Sequence, residues 1–249
     1  MELRDFFKIH CKIALAFSGG ADSSYLLYAA LKSGVDVKAY FLKSQFQPRF
    51  ELEDARRIAS QLGAHLCVIE EDMLSCLEIA NNGPERCYHC KKRMIQAIMG
   101  RARLDGYFEL MDGSNASDNP SDRPGMKALA ELEVLSPLLD YGIGKEDIAK
   151  RLKQTGLHFW NKSPYSCLAT RINQSEALSE DKLDRIERSE DYLRSLGFKD
   201  FRVRSKDGIA KIQIRAEQFT LALNCREAVC SRLGEFFDEI TLDLEARNG

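Results

Sequence analysis

The chain has 249 residues, enough for one large domain or two modest ones. Its 36 basic and 38 acidic residues nearly cancel, a balance that argues against a dedicated nucleic-acid binder. No run is apolar enough to span a membrane, the leading MELRDFFKIH has no long apolar h-region, and eight cysteines are scattered through a core-rich sequence. Together these predict a soluble protein of the cytoplasm with reduced thiols and no membrane partner.

Residues 1–10 read as a short leading helix. Ile13 to Phe17 form a short apolar strand that breaks at Ser18-Gly19-Gly20, and a helical pattern follows over 22–33, stopping at Gly34. A strand that passes through a glycine turn into a helix N-terminus forms an anion site. Gly19 and Gly20 can take positive φ and leave room for phosphate oxygens, and the free amides and dipole of the helix face the anion. Asp22 sits where it can cap the helix or hold magnesium against a pyrophosphate. The bland alternative is an ordinary strand–turn–helix with an Asp cap. SGGADS matches the SGGxDS signature of the PP-loop ATP pyrophosphatases, which cleave ATP between the α- and β-phosphates.

VKAYFL (37–42) reads as the second strand, Glu51 to Leu62 as a helix and HLCVIE (65–70) as the third strand. Repeated strand–helix units imply an α/β fold with a doubly wound parallel sheet, whose ligands sit beyond the strand C-terminal ends. The backbone around Phe41 to Ser44 is then placed to recognise an adenine ring. NNGPERCYHC (81–90) breaks the periodicity as a loop, and Lys91 to Arg103 is again helical. Phe108 to Met111 reads as a strand, Gly113 to Gly125 as a polar loop, Lys127 to Leu132 as a short helix, Glu133 to Leu135 as a strand and Gly144 to Gly156 as a helix.

After an irregular stretch at 158–175, the pattern changes to a small α+β unit. It comprises an amphipathic helix from Leu178 to Leu196, a hairpin of FRVRS (201–205) and AKIQIR (210–215) around Lys206-Asp207-Gly208, a helix over 217–233 and a strand over 239–244. The boundary falls near 172, giving a 1–172 domain and a 173–249 substrate-binding or oligomerisation domain.

Cys87 and Cys90 form a CxxC, open to reading as a zinc half-site, a redox pair, cluster ligands or chance. His89, inside it, is a further candidate ligand. Cys67, on a strand, and Cys76, Cys225 and Cys230, in helices, read as buried small hydrophobes. Three thiolates can hold three irons of a 4Fe–4S cluster and leave the fourth open. Cys167 lies in PYSCLATR, where Arg171 and Lys162 supply nearby cations that favour a thiolate; the alternative is a packed thiol in a turn. A thiolate is the natural attacker of an acyl-adenylate. Glu187 and Glu190, i and i+3 on one helix face, read as metal ligands or as a solvated face.

SGGADS, ELEDARRIASQLGA, RCYHCK, DGSNASDNPSDRPGMKALAELEVLSPL, PYSCLATRI and the RVR hairpin occur in this order, and with them the chain resembles the LarE family of ATP-dependent sulfur transferases. The resemblance implies an adenine nucleotide alpha hydrolase-like PP-loop fold. It implies a pyridinium-3,5-biscarboxylic acid mononucleotide substrate, whose carboxylates are adenylated and converted to thiocarboxylates. The product leads toward the nickel-pincer nucleotide cofactor of lactate racemase. Some members sacrifice a cysteine sulfur; others carry three cysteines and a 4Fe–4S cluster that delivers sulfide, the type matched by Cys87, Cys90 and Cys167.

It further implies that Ser18, Gly19, Gly20, Asp22 and Ser23 bind ATP phosphates and Mg2+, and that Gly113, Ser114, Asn115 and Asp118 line the nucleotide site. Arg202 and Arg204 take the substrate phosphate, for which a guanidinium fork is suited. A homo-oligomer, trimer or hexamer, and a sulfide or other sulfur donor are implied as well. Gln213 stands where the family carries an acid, which puts metal binding near that strand in doubt. The competing expectations are a cluster-dependent PP-loop tRNA thiolase, disfavoured by the balanced charge, and a noncatalytic nucleotide-binding or sulfur-carrier subunit.

Overall fold

A computed structural model describes residues 3–118, 124–155 and 165–247. The chain divides into two compact units: Met1–Met73 with Glu85–Pro164, and Leu74–Pro84 with Tyr165–Gly249.

The first unit runs α1 (Leu3–Ile9), β1 (Lys12–Ala16), α2 (Ala21–Lys32), β2 (Asp36–Lys43), α3 (Arg49–Leu62) and β3 (Leu66–Glu70). The α4 helix (Leu77–Ala80) belongs to the second unit; the first resumes with α5 (Arg86–Leu104), β4 (Leu110–Met111), α6 (Pro124–Glu131), α7 (Pro137–Asp140) and α8 (Lys145–Gln154). Its four strands form a parallel sheet in the order β3-β2-β1-β4. The central β1 is buried at Ile13, Ala14 and Leu15 in succession, as a strand covered on both faces requires.

The two-residue alternation of the strands sorts the core into two layers. Ile13, Leu15, Val37, Ala39, Phe41 and Met111 join one apolar cluster with side chains of α1, α2, α3, α7 and α8. Their buried neighbours Ala14, Tyr40, Leu42 and Leu110 lie outside that cluster, on the opposite face of the pleat. Helix α5 packs against β1, β2 and β3 and buries Ile95, Ile98 and Ala102, and α6 packs against α5. The fold is therefore the expected α/β arrangement with helices on both sides of a parallel sheet. The strand expected at 133–135 is reduced to one bridge, Met111 to Leu135.

The CxxC is helical, contrary to the loop expected over 81–90. The breakers end at Pro84; from Arg86 nothing prevents a helix, so α5 opens on Arg86-Cys87-Tyr88-His89-Cys90. None of the described cysteines is fully buried. Cys67, Cys76 and Cys225 are half-buried and Cys230 is exposed, so the expected core role does not hold for them.

The second unit contains α4, α9 (Glu180–Ser195), β5 (Arg202–Lys206), β6 (Ile209–Gln213), α10 (Phe219–Asn224), α11 (Arg226–Leu233) and β7 (Glu239–Leu242). Ser179 caps α9, its Oγ accepting from Lys182 N at 3.3 Å. β5 and β6 form the antiparallel hairpin, closed by Asp207 and Gly208 at φ 49° and 79°, the positive pair that a type I′ turn needs. β7 adds in parallel to β6. The helix expected over 217–233 is two, divided at Cys225.

Leu74–Pro84 joins this unit through Asn82, buried at φ 58°, whose Nδ2 donates to the carbonyls of Asn173 (2.8 Å) and Glu176 (2.9 Å). Ile172 bridges to Ser205, so the expected cut near 172 falls inside the second unit.

Candidate active site

The phosphate-loop region is built at the C-terminal ends of β1 and β4. Gly19 takes φ +71°, and a Cβ there would stand 3.0 Å from Ala55 Cα, so position 19 needs glycine on two counts. Gly20 does not share the positive φ: it is extended (φ −76°, ψ 166°) and is the N-cap residue of α2. Asp22 does not cap that helix; its Oδ2 accepts from Asn115 Nδ2 at 3.0 Å. Ser23 Oγ donates to Gly20 O (3.3 Å) and lies 3.2 Å from Ser18 Oγ, tying the loop to the first turn.

The second loop closes against the first. A Cβ on Gly113 would come within 2.9 Å of Ser23 N, so the backbones meet with nothing between them. Asp112, buried at the end of β4, accepts from Ser114 Oγ (2.8 Å) and Ser136 Oγ (2.8 Å). Asn115, fully buried, is held by Ser117 N donating to its Oδ1 (2.9 Å), and its own N–H donates to Asp118 Oδ2 (3.2 Å).

Between the loops lies a cavity of about 240 Å³, lined by Ser18, Gly20, Asp22, Ser23, Gly113, Ser114 and Asp118, with Ala16, Lys91 and Asp112. The structure thus gathers both sequence-expected stretches around one space. Its size suits phosphates rather than a whole nucleotide, whose sites span roughly 300–1,000 Å³. Lys91 and Asp112, which the sequence reading missed, face the same space, 3.8 Å apart between Nζ and Oδ2. Two signals could have found them: Lys91 follows Cys87 by one helical turn, and Asp112 ends a strand where ligands of such sheets bind.

Asp22, Asp112 and Asp118 line the cavity, yet among the described residues no three His, Cys, Asp or Glu side chains are placed to hold a metal ion by themselves. Mg2+ does not need three: it is usually held by one or two carboxylates together with waters and substrate phosphates. Near the expected adenine site, Ser44 N–H is already taken by Gln47 Oε1 at 3.0 Å. A larger groove of about 860 Å³ lies away from the loops, against the last turns of α2 and α8 and lined by Arg4, Tyr28, Lys32 and Arg151; none of the expected site residues reaches it.

Cys87 and Cys90 share one face of the first turn of α5. Arg86, buried, donates from Nη2 to Cys87 Sγ at 3.4 Å. Among the described residues of that unit no third ligand is gathered to them, and Cys167 belongs to the second unit. Two thiols are fewer than the three that a cluster with an open iron requires, so the described residues of this unit do not by themselves complete a 4Fe–4S donor set.

In the second unit, Arg202 and Arg204 lie two apart on β5 and so share a face. Arg202 is buried, its Nη1 donating to Phe201 O (2.7 Å), and its guanidinium lies 5.1 Å from the Tyr165 ring centroid. Burial, then the neighbouring charges of Arg171 and Arg247, bring its pKa down to about 10. The same causes lower that of Arg204. Crowded cations in a partly desolvated site are stabilised by an incoming anion.

Glu190 does not lie on a solvated face. It is buried, and its carboxylate accepts from Arg171 Nε (2.8 Å), Val203 N (3.1 Å) and Tyr165 Oη (2.5 Å). Glu187, one turn earlier, is half-buried and is not joined to it in any metal-holding group among the described residues. Arg171 turns its charge to Glu190 and its Nη1 to the Cys167 carbonyl, a different role from the expected thiolate partner. Lys162 lies outside the described residues.

A parallel sheet with this glycine loop and facing aspartates defines a PP-loop α/β protein. No protein-family model matches the chain. It is 32% identical over 236 residues, 94% of its length and 86% of the relative's, to the pyridinium-3,5-bisthiocarboxylic acid mononucleotide synthase of Lactiplantibacillus plantarum. It is 34% identical to an uncharacterised protein of Synechocystis sp., across 98% of this chain and 92% of that one. A more distant likeness, 25% over 198 residues, covers 61% of the chain and 54% of the tRNA-specific 2-thiouridylase MnmA of Thermotoga petrophila. The chain belongs to the LarE-like PP-loop family.

No helix among the described residues is long and apolar enough to cross a membrane.

Proposed function

We propose that the protein is an ATP-using sulfur transferase. It adenylates the carboxylates of pyridinium-3,5-biscarboxylic acid mononucleotide and converts them to thiocarboxylates for the nickel-pincer nucleotide of lactate racemase. One observation carries this reading: the phosphate-sized cavity where the Ser18–Ser23 loop meets the Gly113–Asp118 loop, in a chain of this family.

In this mechanism the amides at the start of α2 and Lys91 hold the ATP phosphates. Asp22, oriented by Asn115, would hold Mg2+, which would supply positive charge to the ATP phosphates. A substrate carboxylate oxygen attacks the α-phosphorus, the bond to pyrophosphate breaks, and an acyl-adenylate remains. A sulfur nucleophile then attacks the carbonyl carbon and AMP leaves with the electron pair of the acyl–oxygen bond. Arg202 and Arg204 bind the substrate phosphate. Cys167 is the residue proposed to bring sulfur to the acyl carbon. The family resemblance adds a 4Fe–4S cluster that Cys87, Cys90 and Cys167 would hold and that would deliver sulfide; no step above depends on it.

ATP–pyrophosphate exchange that depends on the pyridinium substrate is the test of the enzyme, and its absence overturns the reading. The likeness to the 2-thiouridylase favours one second reading, tRNA thiolation; retention on tRNA at physiological salt, with exchange indifferent to the pyridinium nucleotide, selects it. Iron and acid-labile sulfide in anaerobically purified protein test the cluster. Intact mass after turnover tests the alternative, in which the Cβ–Sγ bond of Cys167 breaks, dehydroalanine remains and the chain loses one hydrogen sulfide per sulfur transferred.

A further inference from the structure

The turn that carries Cys167 is gripped from inside its own unit. Arg171 is the largest fully buried side chain of the described residues. Its Nη1 faces four acceptors on the turn: Thr170 Oγ1 (2.8 Å), Ser166 Oγ (2.9 Å), Ser166 O (3.0 Å) and Cys167 O (3.5 Å). Thr170 closes the turn again, with its N–H (3.0 Å) and its Oγ1 (2.7 Å) both donating to Cys167 O. Arg204 Nη1 donates to Thr170 O at 3.0 Å and links the same turn to β5.

The other side of Arg171 is fixed at Nε, while its buried Nη2 makes no hydrogen bond among the described residues. Its Nε pairs with Glu190 at 2.8 Å, and the side chains of the pair are 1% and 2% exposed. Glu190 is itself held by Tyr165 Oη and Val203 N, and the Arg171 guanidinium lies 4.5 Å from the Tyr165 ring centroid. A buried ion pair is an expensive way to gain stability, since desolvation offsets much of the attraction. Its worth lies in geometry: a planar fork held by a carboxylate and a ring presents its donors in one direction only.

The geometry points to Glu190 and Arg171 as positioning residues for sulfur transfer. Glu190 orients Arg171, and Arg171 sets the 166–170 turn, so that the Cys167 thiol is presented in one conformation to the activated acyl group. This assignment rests on the transferase reading for its chemistry, but the clamp on the turn does not.

Arg171→Lys keeps the positive charge and loses the fork; Glu190→Gln keeps the shape and loses the charge. The full chain of each variant is assayed at saturating ATP and pyridinium nucleotide. Expected are pyrophosphate exchange within about twofold of the unchanged protein and sulfur transfer reduced about tenfold to a hundredfold, the size of effect that about 1 Å of misplacement produces. Iodoacetamide, followed by peptide mass mapping, is expected to alkylate Cys167 about threefold faster or more as the turn opens, with Cys87 and Cys90 unaffected.

Transfer and Cys167 alkylation both unchanged in folded variants overturn the proposal. So does a fall of exchange and transfer by one common factor, which marks a merely structural pair. If the unchanged protein shows no substrate-dependent exchange, the transferase reading fails and the alkylation rates alone decide the clamp. Should both variants fail to fold by circular dichroism, Tyr165→Phe, which removes one hydrogen bond to Glu190 and keeps the ring, is put through the same three assays with the same criteria.

Discussion

Gln213 accepts a hydrogen bond from Arg204 Nε at 2.6 Å and, through its own Nε2, donates one to Asp243 Oδ2 at 2.8 Å. A neutral amide is suited to this place because it can accept from a guanidinium and donate to a carboxylate at once. Lys211, and then Gln213 itself, hold the Asp243 carboxyl below its usual range. The neutral amide at 213 therefore leaves the Arg204 charge unneutralised by this hydrogen-bond partner. Gln213→Glu should quench that charge and set two carboxylates against each other. The pyridinium nucleotide concentration needed for half-maximal exchange should rise about tenfold, since a charge-assisted contact contributes about 1.5–3 kcal/mol. The ATP requirement should stay constant; an unchanged nucleotide requirement would remove Arg204 from the phosphate site.

Asp22→Asn should abolish pyrophosphate release while the fold stays intact. The bond from Asn115 to Oδ2 positions the carboxylate, and only the charged group can hold Mg2+ to the leaving pyrophosphate. Lys91→Ala should weaken ATP by about tenfold or more without unfolding the protein, as a phosphate loses a charged donor. Near-normal exchange in the Asp22 variant would displace the metal role, and near-normal ATP affinity in the Lys91 variant would displace that lysine from the phosphates.

Gly113→Ala probes the closure of the two loops. The added methyl would sit 2.9 Å from Ser23 N and 3.1 Å from Ser23 Cα, both backbone atoms that cannot swing aside. Overpacking of this kind costs about 1–3 kcal/mol, and here the displaced element is the phosphate loop. Thermal stability and exchange should both fall. Gly34→Ala is the control: at φ +75° with no atom within 4 Å, it carries backbone strain alone, about 1–2 kcal/mol, far from the cavity. Its exchange rate at a temperature where it is folded should match that of the unchanged protein.

The features legible in the sequence are those that local chemistry dictates. β1 announces itself because a strand covered on both faces must be apolar throughout, and the glycine turn because position 19 admits little else. Asp207-Gly208 prescribes the hairpin. What escaped depends on partners far along the chain. Cys87 and Cys90 are helical because nothing after Pro84 forbids it, a weak local signal. Asn82 draws 74–84 into the second unit through carbonyls more than ninety residues away. Glu190 reads as an exposed acid on a polar helix until Arg171, nineteen residues earlier, is found beside it. The break at Cys225 has no glycine or proline to announce it.

The far end of α5 is held to the sheet by a pH-dependent cluster. Asp105, the C-cap residue of that helix, accepts from Lys38 Nζ (2.8 Å), Tyr40 Oη (2.9 Å) and Arg101 Nε (3.3 Å). These bonds tie the helix end to β2. The bond from Lys38 and then that from Tyr40, against some opposing burial, bring the Asp105 carboxyl down to about 2. Burial, and next the bond to Asp105, push the Tyr40 phenol up. The sign follows from linkage. The folded-state pKa lies below the unfolded value of about 3.9, so the carboxylate adds stability that is fully present above about pH 4. That stability is lost as the pH falls through the folded pKa near 2. Asp105→Asn should therefore lower the melting temperature at neutral pH. The gap to the unchanged protein should hold down to about pH 4 and close toward pH 2, where both carry a neutral group. Melting curves at these three pH values read this directly; a gap of constant size across them would mean that position 105 acts through shape and not through charge.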